Sequence, residues 1–372
     1  MNEGEVNMNG RLDSLDALRG FDMLWIMGGG PLAIAVSKAF GFGDGTFVCE
    51  QMHHAAWHGL RFMDTIFPLF LFIAGVSYPY SAAKRLSSGA TRRSLALTAL
   101  KRGALLFFLG LVYQNFFAFD FAHLRWWSVL GRIGFAWMVS AWLYLAVGWR
   151  ARLVIAAAVL VGTALFFRFV PAPGALAGVD PFSPDGNFGC WLDRTLTAGH
   201  IYEKLFDPEG FAGLLPSVVT AMLGVFAGEW VRREDVAGGR KTAGLLAAAV
   251  ACASAAAAFA SFCPINKALW SSSFVLAVGA YSLLMFAVFY WIVDVKGWKR
   301  WTFFFRVIGM NSIAIYMAQR FIGFDKAVAF FFKGAIGLMP DAWHAAGGCL
   351  AYVVVCWLFL FILYRHKIFF KV

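Results

Sequence analysis

The feature that most constrains this chain is a series of uninterrupted apolar runs, each about 20 residues long, the length at which an α-helix crosses about 30 Å of hydrocarbon. Inside lipid no water is at hand to pair backbone N–H and C=O groups, so such runs have to be helices. A transmembrane β-barrel would instead show short alternating segments. Ten helices are predicted, over residues 17–40, 62–83, 95–118, 127–148, 152–170, 211–231, 241–262, 270–294, 302–322 and 345–365. Residues 325–338 are apolar but shorter and carry Lys326 and Lys333, which predicts an interfacial or re-entrant piece.

Composition points the same way. Of the 372 residues, 60% are hydrophobic and 14% charged, where an ordinary soluble domain is about 25% charged. The mean hydropathy is +0.68. A soluble globular enzyme, a disordered chain and a disulfide-stapled secreted domain are thereby excluded. The expected fold class is all-α: a polytopic membrane helix bundle of about ten transmembrane helices. It is read as one domain over 1–372 with two long loops, 41–61 and 171–210. Loop 171–210 is rich in Pro, Gly and Asp, and could be a cap or only a connector. Gly224 and Gly228 form a GxxxG pair that would let another helix approach closely. A homodimer is left open.

The net charge of +11 would suggest nucleic acid in a soluble protein, but no nucleic-acid-binding module is visible. Membrane proteins collect Lys and Arg in cytoplasmic loops. Here Lys84, Arg85, Arg92, Arg93, Lys101 and Arg102 lie between the second and third helices, and Arg150 and Arg152 between the fourth and fifth. Arg232, Arg233, Arg240 and Lys241 follow the sixth, Lys296, Lys299 and Arg300 the eighth, and Arg365, Lys367 and Lys371 the last. The intervening connections hold far fewer. This alternation predicts an even number of spans with both termini cytoplasmic and both long loops outside, in the periplasm if the membrane is a bacterial inner one. The polar stretch Met1–Gly10 does not read as a cleavable signal peptide, so the first apolar segment is expected to be retained. The six cysteines show no CxxC pair or zinc spacing and no metal is expected. Cys49, Cys190, Cys263 and Cys349 leave a disulfide open.

Ionisable residues at membrane depth are costly and so are functional candidates. Asp16, Arg19 and Asp22 cluster at the start of the first helix, where Asp16 and Arg19 can pair one turn apart. Alternatively Arg19, with Lys101 and Arg102, meets the phosphates of a cytoplasmic ligand. The most informative cluster runs from Met52 to Asp64 and holds His53, His54, Trp57, His58 and Asp64 at the outer mouth of the second helix. Histidine exchanges protons near neutral pH and its neutral form is a nucleophile. Asp64 could orient an imidazole, as the acid of a catalytic triad does. His54 and His58 could chelate a metal, but no third ligand matches. Arg132 needs an anion and is expected either to pair with Asp64 or to touch a substrate. Asn311 and Ser312 either bond neighbouring helices or, for Asn311, contact substrate. Asp207–Gly210 and Pro264–Lys267 are polar stretches against helix ends, suited to sugar hydroxyls and equally to turns. No Walker motif, GxGxxG or GxSxG is present, which removes support for a kinase, a nucleotide-driven pump and a serine hydrolase.

Several stretches resemble the heparan-α-glucosaminide N-acetyltransferase family of transmembrane acetyltransferases. They are Arg11–Gly20, His54–Gly59 with Asp64, Phe67-Pro68, Asp207–Gly210 with Leu223–Val225, Pro264–Trp270, Val293–Gly297 and Gly309–Ser312, in family order. The chain also resembles bacterial inner-membrane members of N-acetylglucosamine utilisation loci, some of them described as transporters. The resemblance implies transfer of acetyl from cytoplasmic acetyl-CoA to an extracytoplasmic amino sugar. It puts the active-site histidine at His54, with Asp64 orienting it. The Asn of the family's A-x-W-N-G run is His58 here, so His58 could substitute for it. The family's Asn late in the first helix is absent, since Met27 directly precedes Gly28. The implied phosphate contacts for acetyl-CoA are Arg19, Lys101, Arg102 and Arg306. Arg132, Asn266, Lys267, Trp57 and Asn311 are the expected acceptor contacts. The alternatives are a transporter of N-acetylglucosamine-related sugars, and a glycan O-acyltransferase.

Overall fold

The structure is a computed structural model that describes residues 12–370. Arg11, Lys371 and the stretch Met1–Gly10 lie outside the described residues. The described chain is helical apart from its connections, with one isolated bridge between Pro171 and Asn187. Among the described residues, nine helices are long and apolar enough to span a membrane. They are α1 (Asp13–Ala39), α2 (Phe62–Ser87), α3 (Arg92–Tyr113), α4 (Val129–Ala146), α5 (Trp149–Phe169), α6 (Phe211–Arg232), α7 (Gly238–Ala260), α8 (Ser272–Val295) and α10 (Asp341–Arg365). Between α8 and α10 lies a tenth segment, α9, in two halves: Phe303–Gly309 and Ser312–Phe321. The protein is thus an integral membrane helix bundle, as the apolar runs require. The interfacial stretch is a separate helix, Phe324–Gly337.

Local chemistry sets several helix starts. Side-chain oxygens of Thr91, Ser128 and Ser271 accept the amides of Ser94, Gly131 and Phe274, capping α3, α4 and α8. At α2 the Asp64 carboxylate accepts Arg61 N at 3.0 Å. Pro68 and Pro79 both sit inside α2, which packing against neighbouring helices tolerates at membrane depth.

Two departures from the expected regular helices matter. α1 contains a π-turn over Trp25–Gly29, and Gly28 there has φ of 135°, a conformation that side chains other than glycine's resist. α9, read in sequence as one helix over 302–322, breaks at Met310 and Asn311. The Asn311 amide is committed to the chain leaving α10: Nδ2 donates to Ile368 O at 2.9 Å, and Oδ1 accepts Phe370 N at 3.0 Å.

Small residues let the inner helices touch. A Cβ on Gly224 or Gly228 of α6 would lie 2.0 Å from Phe72 O or 2.4 Å from Val76 O of α2. Gly75 of α2 meets Ala221 O of α6 in the same way. The GxxxG pair is therefore spent inside the chain, on the α2–α6 crossing. Gly20 of α1 and Gly309 of α9 abut Phe305 O and Asp16 O. Loop 171–210 is a packed cap rather than a bare connector. It contains the helix Phe188–Leu196, and its Phe182 and Cys190 pack with Cys263 and Leu269. All six cysteines are free thiols.

Candidate active site

The histidine cluster sits where three connections meet: the segment before α2, the cap, and the turn before α8. Gly59 N donates to Ile265 O at 2.8 Å, which ties the first to the third. Trp57 Nε1 donates to Phe182 O of the cap at 2.9 Å and packs edge-on against Phe206. Trp57 is thus half-buried and structural in part, with its ring beside His58.

Asp64 organises the centre. It is fully buried. Its Oδ2 accepts Ala55 N at 3.1 Å and Arg61 N at 3.0 Å. Its Oδ1 faces His54 Nδ1 at 2.8 Å and Lys267 Nζ at 3.3 Å. Helix geometry explains the placement: an acid in the first turn satisfies otherwise unpaired amides and the positive end of the helix dipole. The same carboxylate selects the His54 tautomer with the proton on Nδ1 and leaves a lone pair on Nε2. His54 is more than half exposed, so that lone pair is reachable. Lys267 Nζ lies 2.9 Å from His54 Nδ1 and 3.4 Å from Nε2. Burial holds the Lys267 ammonium below the ordinary lysine range, against the pull of Asp64 and Glu209.

Asn266, fully buried, shapes the turn that presents Lys267. Its Oδ1 accepts Leu269 N at 2.8 Å, its own amide donates to Ser271 Oγ at 3.0 Å, and its Nδ2 lies 3.4 Å from His58 Nδ1. Partial burial holds the His58 imidazole below its ordinary value. His58 therefore belongs to the wall beside His54, held by Asn266.

The expected pairing of Arg132 with Asp64 is corrected by the geometry, since Asp64 has Lys267 as its cation. Arg132, almost fully buried near the start of α4, donates from Nη2 to Gly210 O at 3.0 Å and lies over the Trp270 ring, 4.9 Å from its centroid. Its Nε and Nη1 have no hydrogen-bond partner among the described residues. Its position is close-fitting: a Cβ on Gly213 would fall 2.6 Å from both Nη atoms.

A group that the sequence reading did not assemble adjoins it. Arg125 pairs with Asp207 at 2.5 Å and also with Glu209. Asp193, buried in the cap helix, accepts Phe211 N at 2.7 Å. Burial pushes its carboxyl up to about 7. The stretch Asp207–Gly210 was visible as polar. Its partners Arg125 and Asp193 were not, because the cap brings together residues 82 and 14 positions from Asp207 in the sequence.

Asn311 does not join this group, being committed to Ile368 and Phe370 as described above. The other expected cations lie toward the opposite, basic connections. Arg19 Nη1 pairs with Asp16 at 3.2 Å and its Nη2 donates to Ser77 Oγ of α2 at 3.2 Å. Arg102 stacks on Trp137 at 4.4 Å. Arg19 and Arg85 are both near enough to Arg102 to repel its charge, and Arg85 and Arg102 near enough to Tyr78 to act on its buried hydroxyl, which has no hydrogen-bond partner among the described residues. Lys101 is exposed. Arg306 keeps a buried Nε without a hydrogen-bond partner among the described residues. Arg85 is the addition here; in sequence it was one basic loop residue among many.

Fold and site together define a membrane-embedded helix bundle with an aspartate-held histidine at one end and converging arginines toward the other. No protein-family model matches the chain. The chain is 29% identical to the heparan-alpha-glucosaminide N-acetyltransferase of Homo sapiens over 424 aligned residues, and 27% identical to that of Mus musculus over 423. Each alignment covers 97% of this chain and 60% of the relative. The chain is thus similar to these heparan-alpha-glucosaminide N-acetyltransferases over nearly its whole length. It spans about 60% of the length of these curated relatives.

Proposed function

We propose that this protein is a transmembrane N-acetyltransferase that takes acetyl from acetyl-CoA on the cytoplasmic side and places it on an amino sugar on the other side. The observation that carries the reading is the His54–Asp64–Lys267 group, with His54 exposed, at the end of α2 opposite the one that bears Arg85. The names of the homologues support an acetyl transfer to a glucosaminide. The concentration of Lys and Arg on alternate connections supports a cytoplasmic face there and a histidine site outside. A bacterial inner membrane is the setting that fits the resemblance.

In this reading the phosphates of acetyl-CoA meet Arg19, Arg85 and Arg102, with Arg306 nearby. The pantetheine arm extends between the helices and brings its thioester toward His54. Only a small neutral acetyl group then changes sides, and no charged group crosses hydrocarbon. An amino sugar binds between His54, His58 and the cap, with Trp57 offering a ring face; Asn266, fully buried, holds His58 and the turn that carries Lys267. His54 Nε2 takes a proton from the attacking amine, or attacks the thioester first and passes acetyl on. Lys267, whose ammonium is weakened by burial, supports the charge that develops at His54 and Asp64. Arg132 holds the Gly210 end of the acceptor wall.

The test uses purified protein, acetyl-CoA and a panel of amino sugars, with release of free thiol as readout. The reading requires thiol release that depends on an amino sugar and disappears in His54→Ala while the protein remains folded. Turnover retained by His54→Ala removes His54 from the chemistry. The break in α9 favours a second reading, a sugar transporter, since such proteins use discontinuous helices. Sugar uptake into vesicles without acetyl-CoA would support it. Acetylation of a hydroxyl-only acceptor in place of glucosamine would support the O-acyltransferase.

A further inference from the structure

Asp22 has no place in the chemistry above. It is fully buried in α1, and neither carboxyl oxygen has a hydrogen-bond partner among the described residues. Its position is ordered with respect to the site. Asp22 stands one turn from both Arg19 and Trp25 on α1. Both of those neighbours meet α2: Arg19 donates to Ser77, and Trp25 packs edge-on against Phe62 with centroids 4.9 Å apart. Asp22 lies between these two contacts. Its charge is felt by Tyr281 of α8, whose hydroxyl lies against Thr65, the residue after Asp64. Trp25 Nε1 is likewise buried and without a hydrogen-bond partner among the described residues. Two such polar groups therefore lie on α1 along the stretch of α2 between Phe62, near Asp64, and Ser77, which meets Arg19. The π-turn of α1 begins at Trp25, immediately beyond Asp22.

An unpaired carboxylate is costly in such a place, so the site favours the neutral acid. A neutral acid in a dry passage is a proton donor. The reaction needs one there: when the carbon–sulfur bond breaks, its electron pair stays on sulfur, and a thiolate inside hydrocarbon is as costly as a carboxylate. We propose that Asp22 is the acid that protonates the leaving thiolate of CoA. This rests on the acetyltransferase reading. As the tetrahedral adduct collapses, the C–S bond breaks and the Asp22 O–H proton passes to sulfur, giving the thiol and a carboxylate. After CoA leaves, the carboxylate regains a proton from water on the cytoplasmic side. The proton lost by the acceptor amine goes to His54 and out to the opposite side. The two half-reactions thus draw a proton from one face and release another to the other.

The experiment compares wild type, Asp22→Asn and Asp22→Glu with acetyl-CoA and with its selenoester analogue, whose selenolate leaves without needing a proton. Asn keeps the shape and neutrality of the acid but has no acidic proton. For the thioester, Asp22→Asn is expected to lower kcat by about 100-fold or more with KM for acetyl-CoA unchanged. Asp22→Glu restores part of the rate. With the selenoester the deficit of Asp22→Asn shrinks by at least about tenfold. A structural role would leave the deficit equal for both donors, and that result overturns the proposal. So does an Asp22→Asn enzyme as fast as wild type. A wild type that releases no thiol with any amino sugar refutes the acetyltransferase reading itself, and this inference with it.

Discussion

Asp64→Asn isolates what the carboxylate does for His54. The carboxylate oxygens serve different partners: Oδ2 takes Ala55 N and Arg61 N, while Oδ1 faces His54 Nδ1 and Lys267 Nζ. Asparagine has one oxygen for these two tasks. If its oxygen stays with the two backbone amides, its NH2 points at His54 Nδ1. That nitrogen must then accept, and the imidazole proton moves to Nε2, the nitrogen that needs a free lone pair. If the amide flips, its NH2 opposes two backbone N–H donors at the buried start of α2. Loss of a correctly held tautomer costs about 10³–10⁴ in kcat in an acid–histidine pair, or about 4–5.5 kcal/mol of transition-state stabilisation. The cost in stability is smaller, about 1–3 kcal/mol for a buried partner left unpaired, because Lys267 can shed its proton. Steady-state thiol release gives kcat, and thermal unfolding in detergent gives the stability change. A folded Asp64→Asn protein with kcat within tenfold of wild type would refute the orienting role.

Three further predictions concern other parts of the molecule. Asp193 has an ordinary value of 3.8 raised to about 7 in the folded protein, so between those values the folded state holds a proton that the unfolded state has lost. Its contribution to stability is full below about pH 4 and is lost as pH rises through about 7. Asp193→Asn, which keeps the oxygen that accepts Phe211 N, should flatten the fall in melting temperature between pH 5 and pH 8. An unchanged slope would contradict the assignment. Gly20→Ala would put a Cβ 1.8 Å from Phe305 O, and separating α1 from α9 should cost about 1–3 kcal/mol or more, read as a lower melting temperature. Arg85→Gln with Arg102→Gln should raise KM for acetyl-CoA at least about tenfold while leaving kcat close to wild type, the signature of lost uniform binding. A fall in kcat alone would place these arginines elsewhere in the mechanism.

The sequence carried the helices and the histidine motif, and the reasons differ. Hydrocarbon thickness sets run length, so the ten segments were readable to within a few residues at most ends, as for 211–231 against Phe211–Arg232. The break in α9 was not readable. Gly309 precedes it, but the cause is tertiary: Asn311 binds the chain beyond α10, 57 residues on. The π-turn of α1 was marked only by the run Gly28–Gly30 at its end. Of the candidate site, His54 with Asp64 and Lys267 with Asn266 were legible because each set is local in sequence and carries the family's motifs. That Lys267, and not Arg132, faces Asp64 depends on how the turn before α8 docks on the segment before α2, and no local spacing encodes that. Asp22 was visible as an acid in an apolar helix. That both its oxygens lack hydrogen-bond partners among the described residues emerged only from the packing of α1 on α2 and α8.

The most direct measurement places donor and acceptor on opposite sides of a membrane. Protein reconstituted in sealed vesicles would have acetyl-CoA trapped inside and glucosamine only outside. The account predicts N-acetylglucosamine accumulating outside as thiol appears inside, with neither in vesicles carrying His54→Ala. Acetylated sugar formed only when both substrates share a compartment, or formed equally well by His54→Ala, would contradict it.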